Sequence, residues 1–247
     1  MKAEREKNNR KTRAENWWLL GETLPAFREA TRGLSRYLAT ARVAKHRIFV
    51  WLDTAVLPDS KVIAIASADD AIFGVLQSRV HGVWADEMQA LHGGERPTYN
   101  PTECFETFPF PFPFKAALPQ GESTPQSEAD AGHYYFTAKE DPAPYGEAAI
   151  KRAATAAAAM ELNERRDRWL NPPEWTHTEW LAFRATASGP WSRFVEANSI
   201  DTVTGIGTAS YPRTVPRDEK CAAKLKVRTL TALYNERPAW LDLAHKK

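Results

Sequence analysis

Residues 36–66 read RYLATARVAKHRIFVWLDTAVLPDSKVIAIA and contain the segments from which we predict the centre of the fold. Residues 47–52 are rich in β-branched and aromatic side chains, which favour strands, and residues 34–43 and 61–66 also have strand-forming patterns. The turn residues Pro58-Asp59-Ser60 separate the second segment from the third. We therefore expect three neighbouring strands at the centre of a mixed or antiparallel sheet.

Helices are predicted on both sides of these strands. A proline in the first turn and a glycine at the end are typical of a short helix over residues 25–33. Apolar residues recur at helical spacing over residues 72–88, which predicts a helical pair with a break near Gly74 or Gly82. Candidate helix caps lie just before that pair, among residues 67–70. Three further helices are predicted in the C-terminal part of the chain, over residues 147–170, 220–234 and 238–247.

Proline-rich and polar segments separate these elements. Residues 105–114 read FETFPFPFPF, which excludes a helix or a central strand and predicts an extended strip whose rings are buried. Residues 175–219 are expected to be rich in loops. We therefore predict an α+β fold in which a sheet with flanking helices precedes a mainly helical C-terminal region. Its parts are a basic N-terminal segment (1–15), a sheet-containing domain (16–114), a flexible linker (115–146) and a helical region (147–247).

The composition limits the class of protein. The 247 residues are 43% hydrophobic and 26% charged, as in an ordinary soluble protein, and no apolar run is long enough for a membrane span or a signal peptide. We expect a cytoplasmic protein whose distant Cys104 and Cys221 form neither a metal framework nor a disulfide. The net charge of +2 conceals an excess of seven positive charges in residues 1–50, which favours a polyanionic partner. A solvated charged surface is the alternative explanation of that excess.

Basic side chains cluster at the junction of the first two strands. Arginine can donate two hydrogen bonds to a guanine edge, and lysine and histidine reach bases or phosphates. The helix after the third strand offers additional donors for phosphate contacts. The candidate DNA-binding residues are Arg42, Lys45, His46, Arg47, Ser78, Arg79 and His81. In the alternative interpretation, some of them pair with carboxylates in a structural role, namely with Asp69, Asp70 or Asp86.

Residues 15–113 resemble the target recognition domain of the MmeI-like family of DNA methyltransferases and fused restriction–modification enzymes. The segments that carry the resemblance are 16–19 (NWWL), 36–43 (RYLATARV), 46–50 (HRIFV), 56–58 (VLP), 73–81 (FGVLQSRVH), Trp84, 99–102 (YNPT) and 105–111 (FETFPFP). The tail resembles the C-terminal region of the same family at residues 161–163 (ELN), 169–175 (WLNPPEW), 205–208 (GIGT) and 228–238 (RTLTALYNERP).

The resemblance implies a parent enzyme that transfers a methyl group from S-adenosylmethionine to adenine N6 in duplex DNA, with the target base flipped out of the stack. It assigns base reading to Lys45 and Arg47 first, and to Arg42 and His46 next. The implied partners are double-stranded DNA and a methyltransferase catalytic domain or subunit, which lies outside these residues. This chain alone is therefore expected to recognise DNA without methylating it, and to hold no cofactor of its own.

Two short motifs have the form of methyltransferase elements without their expected context. Residues 171–174 (NPPE) have a glutamate where the catalytic loop has an aromatic residue, and they follow a helix, so helix termination by proline is favoured. Residues 205–208 (GIGT) precede no helix, so a turn is favoured over a cofactor loop. We therefore assign no catalytic residue. The remaining alternatives are an inactive gene fragment and a stand-alone enzyme with a site around Asp69, Asp70 and His81.

Overall fold

A computed structural model of the protein describes residues 24–88, 90–92, 96–111, 114–117, 135–140 and 146–246. The basic segment expected at residues 1–15 lies outside the described residues, and so does most of the expected linker. The described residues form an α+β fold, as the sequence predicts.

The strands in the described residues are β1 (Arg36–Ala41), β2 (Phe49–Asp53), β3 (Val62–Ala66), β4 (Ala90–His92), β5 (Arg96–Thr98), β6 (Phe114–Ala117), β7 (Tyr135–Glu140), β8 (Thr176–Thr186) and β9 (Ile206–Pro216). The α-helices are α1 (Pro25–Ala30), α2 (Asp70–Gln77), α3 (Arg79–Met88), α4 (Pro101–Cys104), α5 (Glu147–Leu170), α6 (Glu219–Lys226), α7 (Leu230–Glu236) and α8 (Ala239–Ala244). Of the helices in this described part, none combines the length and the apolar character that crossing a membrane requires.

Five strands form the central sheet, in the order β2–β1–β3–β7–β6. β1 lies antiparallel to both β2 and β3, whereas β7 is parallel to β3 and antiparallel to β6. The first three strands are those predicted from the sequence, and each begins one or two residues later than expected. The sheet is therefore mixed, with its antiparallel part in the region where three strands were predicted.

Apolar side chains cover both faces of this sheet. Because successive side chains of a strand point to opposite faces, Leu38 joins one cluster with Ile65 and Phe73, while Tyr37 joins another with Phe27 of α1. The rings of Phe27 and Tyr37 make an edge contact with their centroids 4.9 Å apart. Burial on both faces fixes the register of β1, since a slip by one residue would exchange the two clusters.

The helical pair after β3 is divided at Ser78, so the break predicted near Gly74 or Gly82 is wrong. Both glycines lie inside helices, because a glycine lowers helix stability by only about 1 kcal/mol and packing outweighs this cost. Asp69 caps α2 as predicted, since its carboxylate accepts a hydrogen bond of 2.7 Å from the amide of Ala71.

The Phe-Pro strip after α4 has buried rings as predicted, but residues 105–108 form turns and a bend instead of the expected extended conformation. Phe105 and Phe108 are almost completely buried, and Phe110 packs partly against the same cluster. The rings of Phe108 and Phe110 meet edge to face, with their centroids 5.1 Å apart. The short helix α4, a single turn that Asn100 caps, was not predicted.

Two strands lie in the segment that was expected to be a flexible linker. All of β7 and all but the first residue of β6 lie within the expected linker, residues 115–146, and β7 pairs with β3 so that Phe136 lies opposite Ile65. The buried strand β3 needs a partner on its second edge, because unpaired backbone groups in a core are costly. The linker interpretation of residues 115–146 therefore differs from the structure in these described parts.

A long β-hairpin lies where residues 175–219 were expected to be rich in loops. β8 and β9 pair in antiparallel register from Thr176, opposite Pro216, to Thr186, opposite Ile206. The exposed ribbon lacks a clear apolar alternation, so the pattern that marks a half-buried strand is absent. Pro212 in β9 also argued against a strand, but a two-stranded ribbon tolerates proline at its edge.

The C-terminal helices pack around α5. The observed bounds of α5 match the predicted helix, whereas the helix predicted over residues 220–234 is two helices, α6 and α7. The hydroxyl of Thr229 caps α7 by accepting a hydrogen bond of 3.1 Å from the amide of Ala232. Leu162 of α5, Leu233 of α7 and Leu241 of α8 form the apolar cluster that joins these helices.

Candidate nucleic-acid interface

The connection between β1 and β2 is anchored at its first residues. The amide of Arg42 donates to the carbonyl of Lys61 at 2.8 Å, and the amide of Ala44 donates to the carbonyl of Pro97 at 3.3 Å. The following residue, Lys45, is exposed. The backbone of this short connection therefore positions the basic side chains of residues 45–47.

Five of the seven candidate DNA-binding residues line a single groove with a cavity volume of about 450 Å³. These residues are Lys45, His46, Arg47, Ser78 and Arg79. The C-terminal helices and the turn between them supply further lining residues, which include Tyr234, Arg237, Asp242, His245 and Lys246. We call this feature the basic groove.

The basic groove carries an excess of positive charge. Five of its lining residues are Lys or Arg, and its acids are Asp86 and Asp242. Lys45, Arg79 and Lys246 are exposed. A cleft lined mainly by one sign of charge concentrates ions of the opposite sign, so this groove favours a polyanion.

Lys45 and His46 share one acceptor from the C-terminal region. The side-chain oxygen Oδ1 of Asn235 accepts from Lys45 Nζ at 2.9 Å and lies 2.8 Å from His46 Nε2. Because this oxygen only accepts, His46 carries a proton on Nε2. Asn235 thereby holds both basic side chains at the groove.

Arg47 is mainly part of the wall of the groove. Its Nη1 donates to Thr40 Oγ1 at 3.2 Å and to the carbonyl of Ala41, and its guanidinium lies 4.6 Å from the ring centroid of Tyr99. Burial lowers the pKa of Arg47. The resemblance places Arg47, with Lys45, first for base reading, but the structure commits Nη1 of Arg47 to contacts inside the protein and buries its Nε.

Three other candidates have different environments. His81 is fully buried, its Nε2 lies 3.1 Å from Tyr99 Oη, and burial lowers its pKa to about 4. The structure therefore does not bring His81 to the groove surface. Ser78 Oγ donates to the carbonyl of Val75 at 2.7 Å at the break between α2 and α3. Arg42 is half-buried and lies outside the groove lining.

A buried arginine connects the groove to the core. Arg166 of α5 is 3% exposed, and its Nη1 donates to the carbonyl of Phe49 at 2.9 Å. Its Nη2 donates to Tyr234 Oη, which lies 3.0 Å from His245 Nε2. Burial lowers the pKa of Arg166. This network positions α7 and α8 beside β2 and α2.

The C-terminal part of the groove was not predicted from the sequence. Asn235, Arg237 and Lys246 were not among the candidate site residues, although residues 228–238 are part of the family resemblance. Charge and spacing give no indication that these residues lie beside Lys45, because the contact joins positions 190 residues apart.

The carboxylates proposed for a stand-alone enzyme have structural partners. Asp69 caps α2 and pairs with Arg152, and Asp70 pairs with Arg36 at 2.8 Å. These carboxylates lie at the start of α2, whereas His81 is in α3 with its ring against Tyr99. The structure does not bring the three residues together as a site.

The two motifs with methyltransferase form, residues 171–174 and 205–208, have the structural roles favoured from the sequence, namely helix termination and a turn. Asn171 is the C-cap of α5, and Gly205, with φ of 66°, lies in the turn that leads into β9. Within the described residues, no group of histidine, cysteine or acidic side chains is arranged to hold a metal ion. Cys104 and Cys221 are both free thiols, the first buried and the second partly exposed.

No protein-family model, no curated protein and no solved structure matches this chain.

Proposed function

We propose that this chain binds double-stranded DNA through the basic groove and serves as the sequence-recognition part of a site-specific adenine methyltransferase. Methyl transfer would require a separate catalytic domain or subunit that binds S-adenosylmethionine. The methyltransferase assignment rests on the sequence resemblance, and the DNA-binding assignment rests on the groove. A cytoplasmic location is part of the same proposal, because a DNA-modifying protein works where its DNA is.

The convergence of basic residues from three separate sequence regions supports DNA binding. Lys45 comes from the β1–β2 connection, Arg79 from the start of α3, and Lys246 from the C-terminal end of the described chain. All three are exposed, and they line the same groove. A surface that is charged only for solvation would not bring these three basic side chains together in one groove. Contact with successive phosphates does require basic side chains at neighbouring positions.

The side chains suggest a division of roles. Arg79 and Lys45 have the reach and the charge to contact phosphates or a guanine edge. His46 is a further donor in the same wall of the groove. Arg47 instead stabilises the β1–β2 connection through its hydrogen bonds to Thr40 and Ala41. We therefore assign direct DNA contact first to Lys45 and Arg79.

Salt-dependent binding of a fluorescent duplex of mixed sequence tests the DNA-binding proposal. We expect the double variant Lys45→Ala/Arg79→Ala to bind less tightly, with a salt slope smaller by about 0.9 for each phosphate that the protein no longer neutralises. Lys226→Ala is the matched control, since Lys226 is exposed on α6 and lies outside the groove lining. Equal effects of the double variant and this control would contradict a role of the groove.

Selection from a random duplex pool tests sequence recognition separately. The proposal predicts enrichment of one short sequence by the intact chain, because base contacts discriminate by about 1–3 kcal/mol per position. Binding without enrichment would leave DNA binding in place and contradict the recognition role. Absence of binding at low salt would contradict the whole proposal.

A further inference from the structure

We infer that Arg237 contacts the DNA phosphate backbone, so that the C-terminal helices complete the binding surface that the first domain begins. This inference rests on the proposed function. It assigns a ligand contact to the turn between α7 and α8, which neither the sequence pattern nor the family resemblance singles out.

The backbone of Arg237 is the first observation. Arg237 follows α7 with φ of 46° and ψ of 61°, in the left-handed region. Glycine, and less often asparagine, is the usual residue at this position after a helix, because a side chain beyond Cα is disfavoured there. A large cationic residue in this strained conformation indicates that its side chain serves a purpose at this point.

The side chain of Arg237 is the second observation. Its Nε donates to Asp242 Oδ1 at 2.5 Å, and the side chain is 62% exposed. Its two terminal amino groups make no hydrogen bond to any residue in the described part of the chain. Asp242 therefore orients the guanidinium and leaves the paired donors available, the arrangement that suits two oxygens of one phosphate.

The location of Arg237 in the basic groove is the third observation. Arg237 lines the groove together with Lys45, Arg79 and Lys246. Asn235, two residues earlier, accepts hydrogen bonds from Lys45 and His46. The turn after α7 and the β1–β2 connection are thus joined side by side, so a phosphate held by Lys45 would lie in the groove that Arg237 also lines.

Arg237→Gly separates a binding role from a structural one. Glycine relieves the backbone strain while removing the guanidinium, so we expect an unchanged or higher melting temperature. We expect DNA affinity to fall by about five- to tenfold at moderate salt, with a salt slope smaller by about 0.9. Arg237→Lys keeps the charge and the strained backbone, and we expect it to retain most of the affinity.

The outcomes distinguish this inference from the proposed function. Wild-type affinity in Arg237→Gly, together with weaker binding by Lys45→Ala/Arg79→Ala, would overturn the role of Arg237 alone. Wild-type affinity in both would overturn the DNA-binding groove as well. If Arg237→Gly melts at a lower temperature than the wild type, the comparison of Arg237→Gln with Arg237→Lys decides the question, because both keep a long polar side chain at this position and differ in charge. Weaker DNA binding by Arg237→Gln than by Arg237→Lys supports the inference, and equal binding by the two variants overturns it.

Discussion

His245 Nδ1 donates a hydrogen bond of 2.8 Å to the carbonyl oxygen of Gln77, which joins the end of α8 to the last residue of α2. The other ring nitrogen, Nε2, lies 3.0 Å from Tyr234 Oη. Since Arg166 donates to the same hydroxyl, Tyr234 is free to donate its own proton to Nε2. The contacts therefore require a neutral imidazole that carries its proton on Nδ1.

Acidification is expected to destabilise the protein through its buried histidines. Burial lowers the pKa of His245 and of His81 to about 4. Because an unfolded histidine titrates near pH 6.5, the unfolded chain binds more protons than the folded chain between about pH 6.5 and about pH 4. The free energy of unfolding is therefore highest above this window and falls as the pH drops through it. The decrease is at most about 1.4 kcal/mol per pH unit for each histidine.

Urea unfolding at about pH 7 and about pH 5 measures this decrease. The variants His245→Gln and His81→Gln are each expected to be less stable at neutral pH and to depend less on pH than the wild type. The exposed His177 gives the control, since His177→Gln removes a histidine without changing either buried ring. A wild-type free energy of unfolding that is equal at both pH values would refute the explanation.

Arg166 and its neighbour Arg165 give a matched pair of substitutions. Arg166→Ala leaves the carbonyl of Phe49 and the hydroxyl of Tyr234 without their donor and opens a void, so we expect the protein to be destabilised by about 3 kcal/mol. Arg165 is half exposed and forms an i,i+4 pair with Glu161 at 2.8 Å, so Arg165→Ala should cost less than about 0.5 kcal/mol. Chemical unfolding compares them, and similar effects would show that the buried network contributes little.

Gly74 and Gly82 are expected to respond in opposite ways to alanine. A Cβ at Gly74 would lie 2.8 Å from Thr155 Cγ2 and 2.9 Å from Thr155 O, so α2 and α5 would have to separate. We expect Gly74→Ala to destabilise the protein by about 1–3 kcal/mol in spite of the gain in helix propensity. Nothing described lies within 4 Å of a Cβ at Gly82, so Gly82→Ala should stabilise by about 0.5–1 kcal/mol. Melting temperatures that shift in the same direction would disprove this view of the α2–α5 contact.

Alanine substitutions of Arg47 and Lys45 are expected to differ in their effect on stability, although both residues line the groove. Arg47→Ala removes the interactions with Thr40, Ala41 and Tyr99, which predicts a decrease in stability of about 1–3 kcal/mol. Lys45→Ala removes an exposed side chain and should change stability by less than about 0.5 kcal/mol. Thermal unfolding of both variants provides the comparison. If Arg47→Ala is as stable as the wild type and changes the base preference, the structural role is contradicted and the base-reading role that the resemblance implies is supported.

Local sequence patterns were sufficient to predict several helices and strands. β-branched and aromatic residues identified β2, the alanine-rich composition and the following prolines delimited α5, and Asp69 marked the start of α2. The basic cluster between β1 and β2 was also visible, because the residues that form it are neighbours in the chain.

The contacts between distant segments could not be predicted from local patterns. The pairing of β7 with β3, the β8–β9 hairpin and the contact of Asn235 with Lys45 all join segments that have no shared local signal. Such contacts form when the packing of the whole chain outweighs the entropy cost of closing long loops. A short window of sequence does not show whether that condition is met. Packing likewise buries His81 and places Arg47 in the groove wall. From chain position and residue type, both had been predicted to contact DNA, as had the exposed Lys45.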